Sequence, residues 1–206
     1  MDISCIVLAG GKSLRLGHDK ALETVGNRSL VEWAVCNLSL FDSNIIIVTT
    51  KEQSFPQFTG YPKLRIVTDT YPGKGPLGGI YTGLAASDSL HNLVVACDMP
   101  LLNQALLRYM IQVSPDFDLV VPRLGDMVEP LHAVYSKGCL APIGCLLQQG
   151  NLRVSKLFPL VRVRYVETEE INRFDPKHLS FFNINTEADL ETARELATGD
   201  MSHDKC

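Results

Sequence analysis

Residues 3–21 read ISCIVLAGGKSLRLGHDKA, and the fold turns on how this stretch is read. Ile3, Ile6, Val7 and Leu8 form a short apolar run broken only by Ser4 and Cys5, the length of a buried strand and too short for most helices. The run stops at Gly10-Gly11 and turns polar and basic through Lys12, Ser13, Arg15 and Lys20. A buried strand feeding a glycine pair delivers backbone N–H groups to the carboxyl edge of a parallel sheet, where anions and nucleotides bind. Lys12, Arg15 and Lys20 add three cations within nine residues, which suits a polyphosphate better than a single carboxylate. The loop is not a Walker A motif: Gly11-Lys12-Ser13 supplies its ending, but Ile6 stands where the earlier glycine is required.

Beyond the loop, strand and helix signals alternate. Ser29-Leu30-Val31-Glu32 reads as a capping box, with Leu30, Val31, Ala34, Val35 and Leu38 at helical spacing. Asn44 to Thr50, Leu64 to Val67, Asn92 to Ala96, Asp118 to Pro122 and Arg162 to Val166 read as strands. Val128 to Tyr135 reads as one more, confined by Pro130 to an edge or a bulge, and Phe181 to Asn185 as the last. Helices are expected over Ala105 to Val113, over Leu140 to Leu147, between Gly150 and about Phe158, and after the Thr186-Glu187-Ala188-Asp189 cap. Thr68 to Gly79 is expected to be irregular before a helix carrying Ile80, Leu84 and Ala85. This alternation predicts an α/β domain on a mostly parallel sheet, spanning residues 1–198 with a loose tail at 199–206.

The chain has 206 residues, 46% hydrophobic and 20% charged, enough for one sizeable core. A net charge of −4 without a basic block argues against a nucleic-acid surface. The six cysteines lack C-x-x-C spacing and several sit in apolar runs, so reduced thiols in a cytoplasmic protein are expected. No signal segment or membrane-length apolar run is seen.

Leu8-Ala9-Gly10-Gly11-x-Ser13-x-Arg15-x-Gly17-x-Asp19-Lys20-Ala21 resembles the signature of the MobA-like nucleotidyltransferases, the family of molybdenum cofactor guanylyltransferase. The resemblance continues through Gly75 to Gly79 (GPLGG), Asp98-Met99-Pro100, Glu129 to Tyr135 (EPLHAVY) and Phe181 to Leu190, where FFNINTEADL fits the pattern FxNINTxxDL. It implies a three-layer α/β/α, Rossmann-like nucleotidyltransferase fold. It further implies transfer of GMP from GTP to molybdenum-bound molybdopterin, with magnesium as cofactor. Arg15, Lys20 and Asp98 would be catalytic, and Asp98 would hold the metal, joined by Asn183 or Asn185. The nucleotide would lie on Leu8, Ala9, Gly10, Gly11, Lys20, Asp69, Gly75, Pro76, Leu77 and Asp98. Glu129, His132 and Arg153 are the acceptor-side candidates, although a histidine in an apolar strand is more often hydrogen-bonded core and Arg153 reads at least as well as a surface residue. Glycine at position 10, where cytidylyl-transferring relatives tend to have alanine, resembles the guanylyl branch. A monomer is expected, served by cofactor-delivering proteins.

Three other readings stay open at this point. Gly73-x-Gly75-x-x-Gly78 satisfies the dinucleotide fingerprint, and Asp98 lies twenty residues past its last glycine, as in an NAD(P)-dependent oxidoreductase. A nucleotidyltransferase acting on CTP, or on a sugar or alcohol phosphate, shares the loop. A non-catalytic nucleotide-binding module would bind GTP without releasing pyrophosphate. The five histidines are scattered, and no serine or cysteine stands in a nucleophile elbow. An acceptor that is itself an ionised phosphate monoester needs no strong base, so positioning and charge neutralisation would carry the rate.

Overall fold

A computed structural model of the chain describes residues 2–10, 20–50, 55 and 58–200, the last four as backbone. The first half runs β1 (Ile3–Leu8), β2 (Thr24–Val25), β3 (Arg28–Ser29), α1 (Leu30–Ser39), β4 (Asn44–Thr49), β5 (Leu64–Thr68), α2 (Gly75–Ala86) and β6 (His91–Ala96). It continues with α3 (Gln104–Gln112), β7 (Leu119–Leu124), β8 (Met127–Val128), β9 (His132–Ser136), α4 (Leu140–Gln148), β10 (Val163–Glu167), α5 (Thr168–Ile171) and α6 (Glu187–Asp200).

The sheet order is β10-β7-β9-β6-β1-β4-β5, with β8 added to β7. The long strands are mutually parallel except β9, which is antiparallel to β6 and β7. β1 is paired on both edges, Ile6 standing opposite Ile46 on β4 and Val94 on β6. Both faces of the sheet are covered, which explains why its strands read as continuous apolar runs instead of alternating ones. On one face Cys5, Val7, Val95 and Val134 meet Val31, Ala34 and Leu38 of α1 and Leu106, Leu107 and Met110 of α3. On the other, Ile6, Ile46, Val94 and Tyr135 meet Leu77, Ile80 and Leu84 of α2 and Ile143, Leu146 and Leu147 of α4. The expected three layers are therefore present. The Ser29–Glu32 capping box is formed as read: the Ser29 hydroxyl accepts from the Glu32 amide, and the Glu32 carboxylate accepts from the Ser29 amide at 2.7 Å.

Four local expectations are corrected. α2 begins at Gly75, so GPLGG is its first turn; Pro76 fits there because a first-turn residue needs no amide partner. VEPLHAVY is split: Pro130 falls in the turn between β8 and β9, which leaves β9 free of proline and able to lie inside the sheet. Phe181 to Asn185 is not a strand, because the Ile184 amide donates to the carbonyl of Asp98 (3.0 Å), away from any strand neighbour. Residues 150–160 form two short 3-10 turns, Val154–Lys156 and Phe158–Leu160, instead of one helix. Cys5, Cys97, Cys139 and Cys145 form no disulfide. Among the described residues, no helix is long and apolar enough to cross a membrane.

α2 lies unusually close to β1 because its inner face carries glycines. A Cβ on Gly79 would stand 3.2 Å from Leu8 Cδ2, and one on Gly83 would stand 2.5 Å from Ile6 Cγ2. Gly83→Ala is expected to destabilise the fold by about 1–3 kcal/mol through overpacking. Gly144→Ala on α4, whose Cβ would meet Tyr81 at an ordinary 3.5 Å, is expected to stabilise by about 0.5–1 kcal/mol. Urea unfolding of the two variants checks the contrast, and equal midpoints would show that α2 backs away from β1 at no cost.

Candidate active site

β4 and β5 lie on one side of β1 and β6 on the other, so the strand order reverses at β1. In such a sheet the ligand crevice opens between the carboxyl ends of the two strands at the reversal. Leu8 and Ala96 end there side by side, and the Cys97 amide donates to the Leu8 carbonyl at 3.1 Å. The segment leaving β1 and the Asp98 turn leaving β6 therefore rim one cleft. Gly73, Gly75 and Gly78 follow β5 instead, an edge strand two places away from the reversal. That position, with Asp98 bound to a lysine, removes the support for the dinucleotide fingerprint.

Lys20 closes the cleft. Its Nζ donates to Asp98 Oδ2 at 2.6 Å and to Asn185 Oδ1 at 2.8 Å, bringing together residues 78 and 165 positions apart. The two ionised side chains are only 14% and 22% exposed, so the pair is far less screened than a surface salt bridge. Asp98 Oδ1 is buried and accepts no hydrogen bond from the described residues. Asp98 is held by its backbone: its carbonyl accepts from Ile184, which is fully buried, and Met99 beside it is 1% exposed. It is not spent as a helix cap either, since Asn103 caps α3 by accepting from the Leu106 amide at 3.0 Å. Asn185 is fixed from behind by the Asp189 carboxylate, which accepts from the amides of Asn185 (2.9 Å) and Thr186 (2.8 Å). The Asn185 amide, the Thr186 contacts and then Lys20 hold the Asp189 carboxyl below its ordinary range. Asn183 turns away, its Nδ2 donating to Phe181. Of the two asparagines, Asn185 is the one brought to Asp98.

On the nucleotide side the placement is mixed. The Ala9 amide donates to the Val48 carbonyl at 2.9 Å, so it is committed to the sheet and does not serve as an anion donor, a correction to the sequence reading. Gly10 is exposed just past it, and Leu8 is half-buried. Gly11 and Arg15 lie outside the described residues. Asp69 leaves β5 half-buried, with Oδ1 accepting from the Tyr71 amide and the Thr82 hydroxyl, both at 2.9 Å. Gly75 and Pro76 are exposed at the N-terminus of α2, where Lys74 offers no side-chain cap, while the Leu77 side chain goes into the core. Sequence reading missed Thr82; Asp189 was read only as part of the Thr186–Asp189 cap, which forms, the Asp189 amide donating to Thr186 Oγ1 at 3.2 Å. Thr82 looks like an ordinary helix residue and lies 13 positions from Asp69, so nothing local signals their contact.

On the acceptor side, Glu129 is half-buried between β8 and β9. Burial raises its carboxyl pKa, the Leu131 amide opposes this, and the nearby Asp98 carboxylate raises it further. Arg153 is exposed on the turn after α4. His132 is corrected from acceptor contact to core: it is fully buried, its ring 5.0 Å from that of Phe181, and neither ring nitrogen has a partner among the described residues.

A doubly wound sheet with a lysine, a carboxylate and an asparagine gathered at its reversal defines a nucleotide-binding α/β protein built for phosphate chemistry. The MobA-like NTP transferase domain matches residues 5–162, and the chain belongs to that family. It is 39% identical over 192 residues to a probable molybdenum cofactor guanylyltransferase of Pelotomaculum thermopropionicum, covering 93% of this chain and 92% of that protein. It is 38% identical over 197 residues to another of Methanosarcina mazei, covering 91% and 88%. Among solved structures it superposes on molybdopterin-guanine dinucleotide biosynthesis protein A of Archaeoglobus fulgidus with a TM-score of 0.81 at 26% identity, over 95% of this chain and 98% of that one. A 2-C-methyl-D-erythritol 4-phosphate cytidylyltransferase of Thermus thermophilus shares the fold at TM-score 0.70 and 18% identity, over 96% and 100%.

The buried histidine makes stability depend on pH. Desolvation pushes His132 down to about 4, Asp175 opposing weakly, whereas an unfolded histidine titrates near ~6.5. Between those values the unfolded chain binds the additional proton, so the contribution is complete above about pH 6.5 and is lost as the pH falls toward 4. Between pH 7 and pH 4.5 the wild type is expected to lose about 2 kcal/mol more unfolding free energy than His132→Leu. Identical slopes in urea melts would refute a neutral buried imidazole.

Proposed function

We propose that the protein transfers GMP from GTP to the terminal phosphate of molybdenum-bound molybdopterin, releasing pyrophosphate. The observation that carries this is the Lys20, Asp98 and Asn185 cluster at the sheet's reversal. It occurs in a chain 39% identical to a probable molybdenum cofactor guanylyltransferase over nearly its whole length.

The reaction asks little covalent chemistry of the protein. An oxygen of the acceptor phosphate attacks the α-phosphorus in line, that P–O bond forms, and the bond to the β-phosphate oxygen breaks as pyrophosphate leaves. Lys20 supplies a fixed positive charge beside the reacting phosphates, joined by Arg15 from the basic loop. Gly10 and Gly11 let the backbone approach the nucleotide, with Leu8 and Ala9 as the wall beneath it, while Asp69 and the exposed first turn of α2 at Gly75 and Pro76 face its nucleoside end, the Leu77 side chain anchoring that turn in the core. The donor set fits magnesium. Asp98 Oδ1 is a buried hard oxygen that accepts no hydrogen bond from the described residues, Asn185 Oδ1 is a second oxygen on the same lysine, and magnesium is commonly bound by one or two carboxylates plus substrate phosphates. When bound, it would neutralise phosphate charge. Glu129 and Arg153 remain the acceptor-side residues. The protein works in the cytoplasm as a single chain, receiving its acceptor from a delivering protein and needing no nucleic acid or membrane.

Pyrophosphate release across the four nucleoside triphosphates, with and without molybdenum cofactor, in magnesium, tests the proposal. Release is expected with GTP and cofactor together. Release with CTP or with a sugar phosphate would redirect it to another nucleotidyltransferase, and GTP binding without release to a non-catalytic module. Lys20→Ala and Asp98→Ala are each expected to lower turnover about a hundred-fold or more with the fold intact by circular dichroism. Near-normal turnover in either would reject its role.

A further inference from the structure

A groove of about 520 Å³ opens on the same sheet edge, walled by Arg123, Val128, Tyr165, Glu167 and Thr168 with Asp126 on its rim. Its floor is a locked stack. Arg123 donates to both oxygens of Glu167, from Nε at 3.0 Å and from Nη2 at 2.5 Å, and its guanidinium lies 4.4 Å from the centre of the Tyr165 ring. Thr168 ties the β7–β8 turn down, its hydroxyl accepting from the Gly125 amide and donating to the Arg123 carbonyl, both at 3.2 Å. The Arg123 side chain keeps 40% of its surface open. A guanidinium held over an aromatic ring by a bidentate carboxylate is a ready platform for a planar heterocycle.

The groove also lies in line with the proposed reaction centre. Along the carboxyl edge, Asp98 follows β6, Glu129 precedes β9, Arg123 ends β7 and Glu167 ends β10. Glu129 joins the two ends, feeling the charge of Asp98 on one side while its chain neighbour Val128 lines the groove on the other. β7 and β10 are two and three strand positions from β6, roughly 10 to 14 Å along the edge. That is the reach of a fused heterocycle carrying a phosphomethyl arm. Charge sets the direction. Asp126, Glu167 and Glu169 outnumber Arg123 three to one in the groove, which repels a phosphate and offers acceptors to ring N–H groups, whereas Lys20 lies at the other end.

We propose that this groove is the subsite for the pterin ring of the acceptor, with the Arg123–Tyr165 stack as its floor and the Glu169 and Asp126 carboxylates receiving N–H donors at its rim. The assignment rests on the guanylyl-transfer reading for its substrate, but not for its test. Unsubstituted pterin, followed by its intrinsic fluorescence, is titrated into wild type, Arg123→Lys and Glu169→Gln, and the Michaelis constants for cofactor and GTP are measured on the same proteins. Arg123→Lys keeps the charge opposite Glu167 but loses the plane, and is expected to weaken pterin binding and raise the acceptor KM about tenfold, leaving the KM for GTP unchanged. Glu169 is exposed, so Glu169→Gln leaves the fold intact and is expected to weaken both by a smaller factor. Pterin binding and acceptor KM unchanged in both variants, or a KM for GTP that rises in step, overturns the assignment. A wild type that binds pterin yet forms no product with cofactor and GTP rejects guanylyl transfer and leaves the groove's ligand standing; one that binds no pterin and shows unchanged acceptor KM values overturns the groove alone.

Discussion

β1 is hydrogen-bonded along both edges and packed on both faces, and everything functional in the molecule depends on that double constraint. A strand so enclosed has no freedom to slip, since a one-residue shift would exchange Ile6 with Cys5 and Val7 between the two cores. It also fixes where the chain must stop being sheet. With β4 to one side and β6 to the other, helices on opposite faces diverge at its carboxyl end and leave a crevice that no side chain of the sheet can fill. Polar groups at that mouth interrupt no strand pairing, so a charged cluster can stand there without breaking the sheet.

The cluster is assembled from three distant pieces of chain, and each is rigid for a different reason. Asp98 is held by main chain and by Met99 beneath it, Asn185 by the carboxylate that starts α6, and Lys20 by the short turn leading into the β2–β3 hairpin. The asparagine and aspartate both present oxygen, and one ammonium satisfies both. The largely buried Asp98 carboxylate would stand uncompensated without a cation beside it, and the lysine offsets that cost.

The parallel strands were legible because burial on two faces writes itself as unbroken Val, Ile and Leu runs, as in Asn44 to Thr49 and Asn92 to Ala96. The capping box at Ser29 was legible because its two hydrogen bonds are local. Phe181 to Asn185 misled because Phe182 and Ile184 pack into one small core with Val25 and Leu30, imitating the period of a strand while the backbone bonds elsewhere. His132 lies in the core, the reading its apolar strand favoured, but beside the Phe181 ring and with no hydrogen-bond partner among the described residues, where a bonded imidazole was expected. Within the site, Lys20 and Asp98 stood out from their motifs. The choice between Asn183 and Asn185, and the contact of Thr82 with Asp69, depend on long-range packing that no local pattern encodes.

The missing side chains on the inner face of α2 carry an evolutionary consequence. At Gly79 and Gly83 the neighbouring strand occupies the volume a methyl group would need. Descendants of this sequence can exchange one core hydrophobe for another with modest adjustment, yet the smallest possible mutation displaces Ile6 or the helix at Gly83, and presses on the tip of Leu8 at Gly79, beside the strand whose end forms the mouth of the cleft. Drift should therefore run fast over the exposed edge at β5 and slow at two positions that bear no chemistry at all, so that among divergent relatives the geometry of the cleft is recorded most faithfully by residues that never touch a substrate.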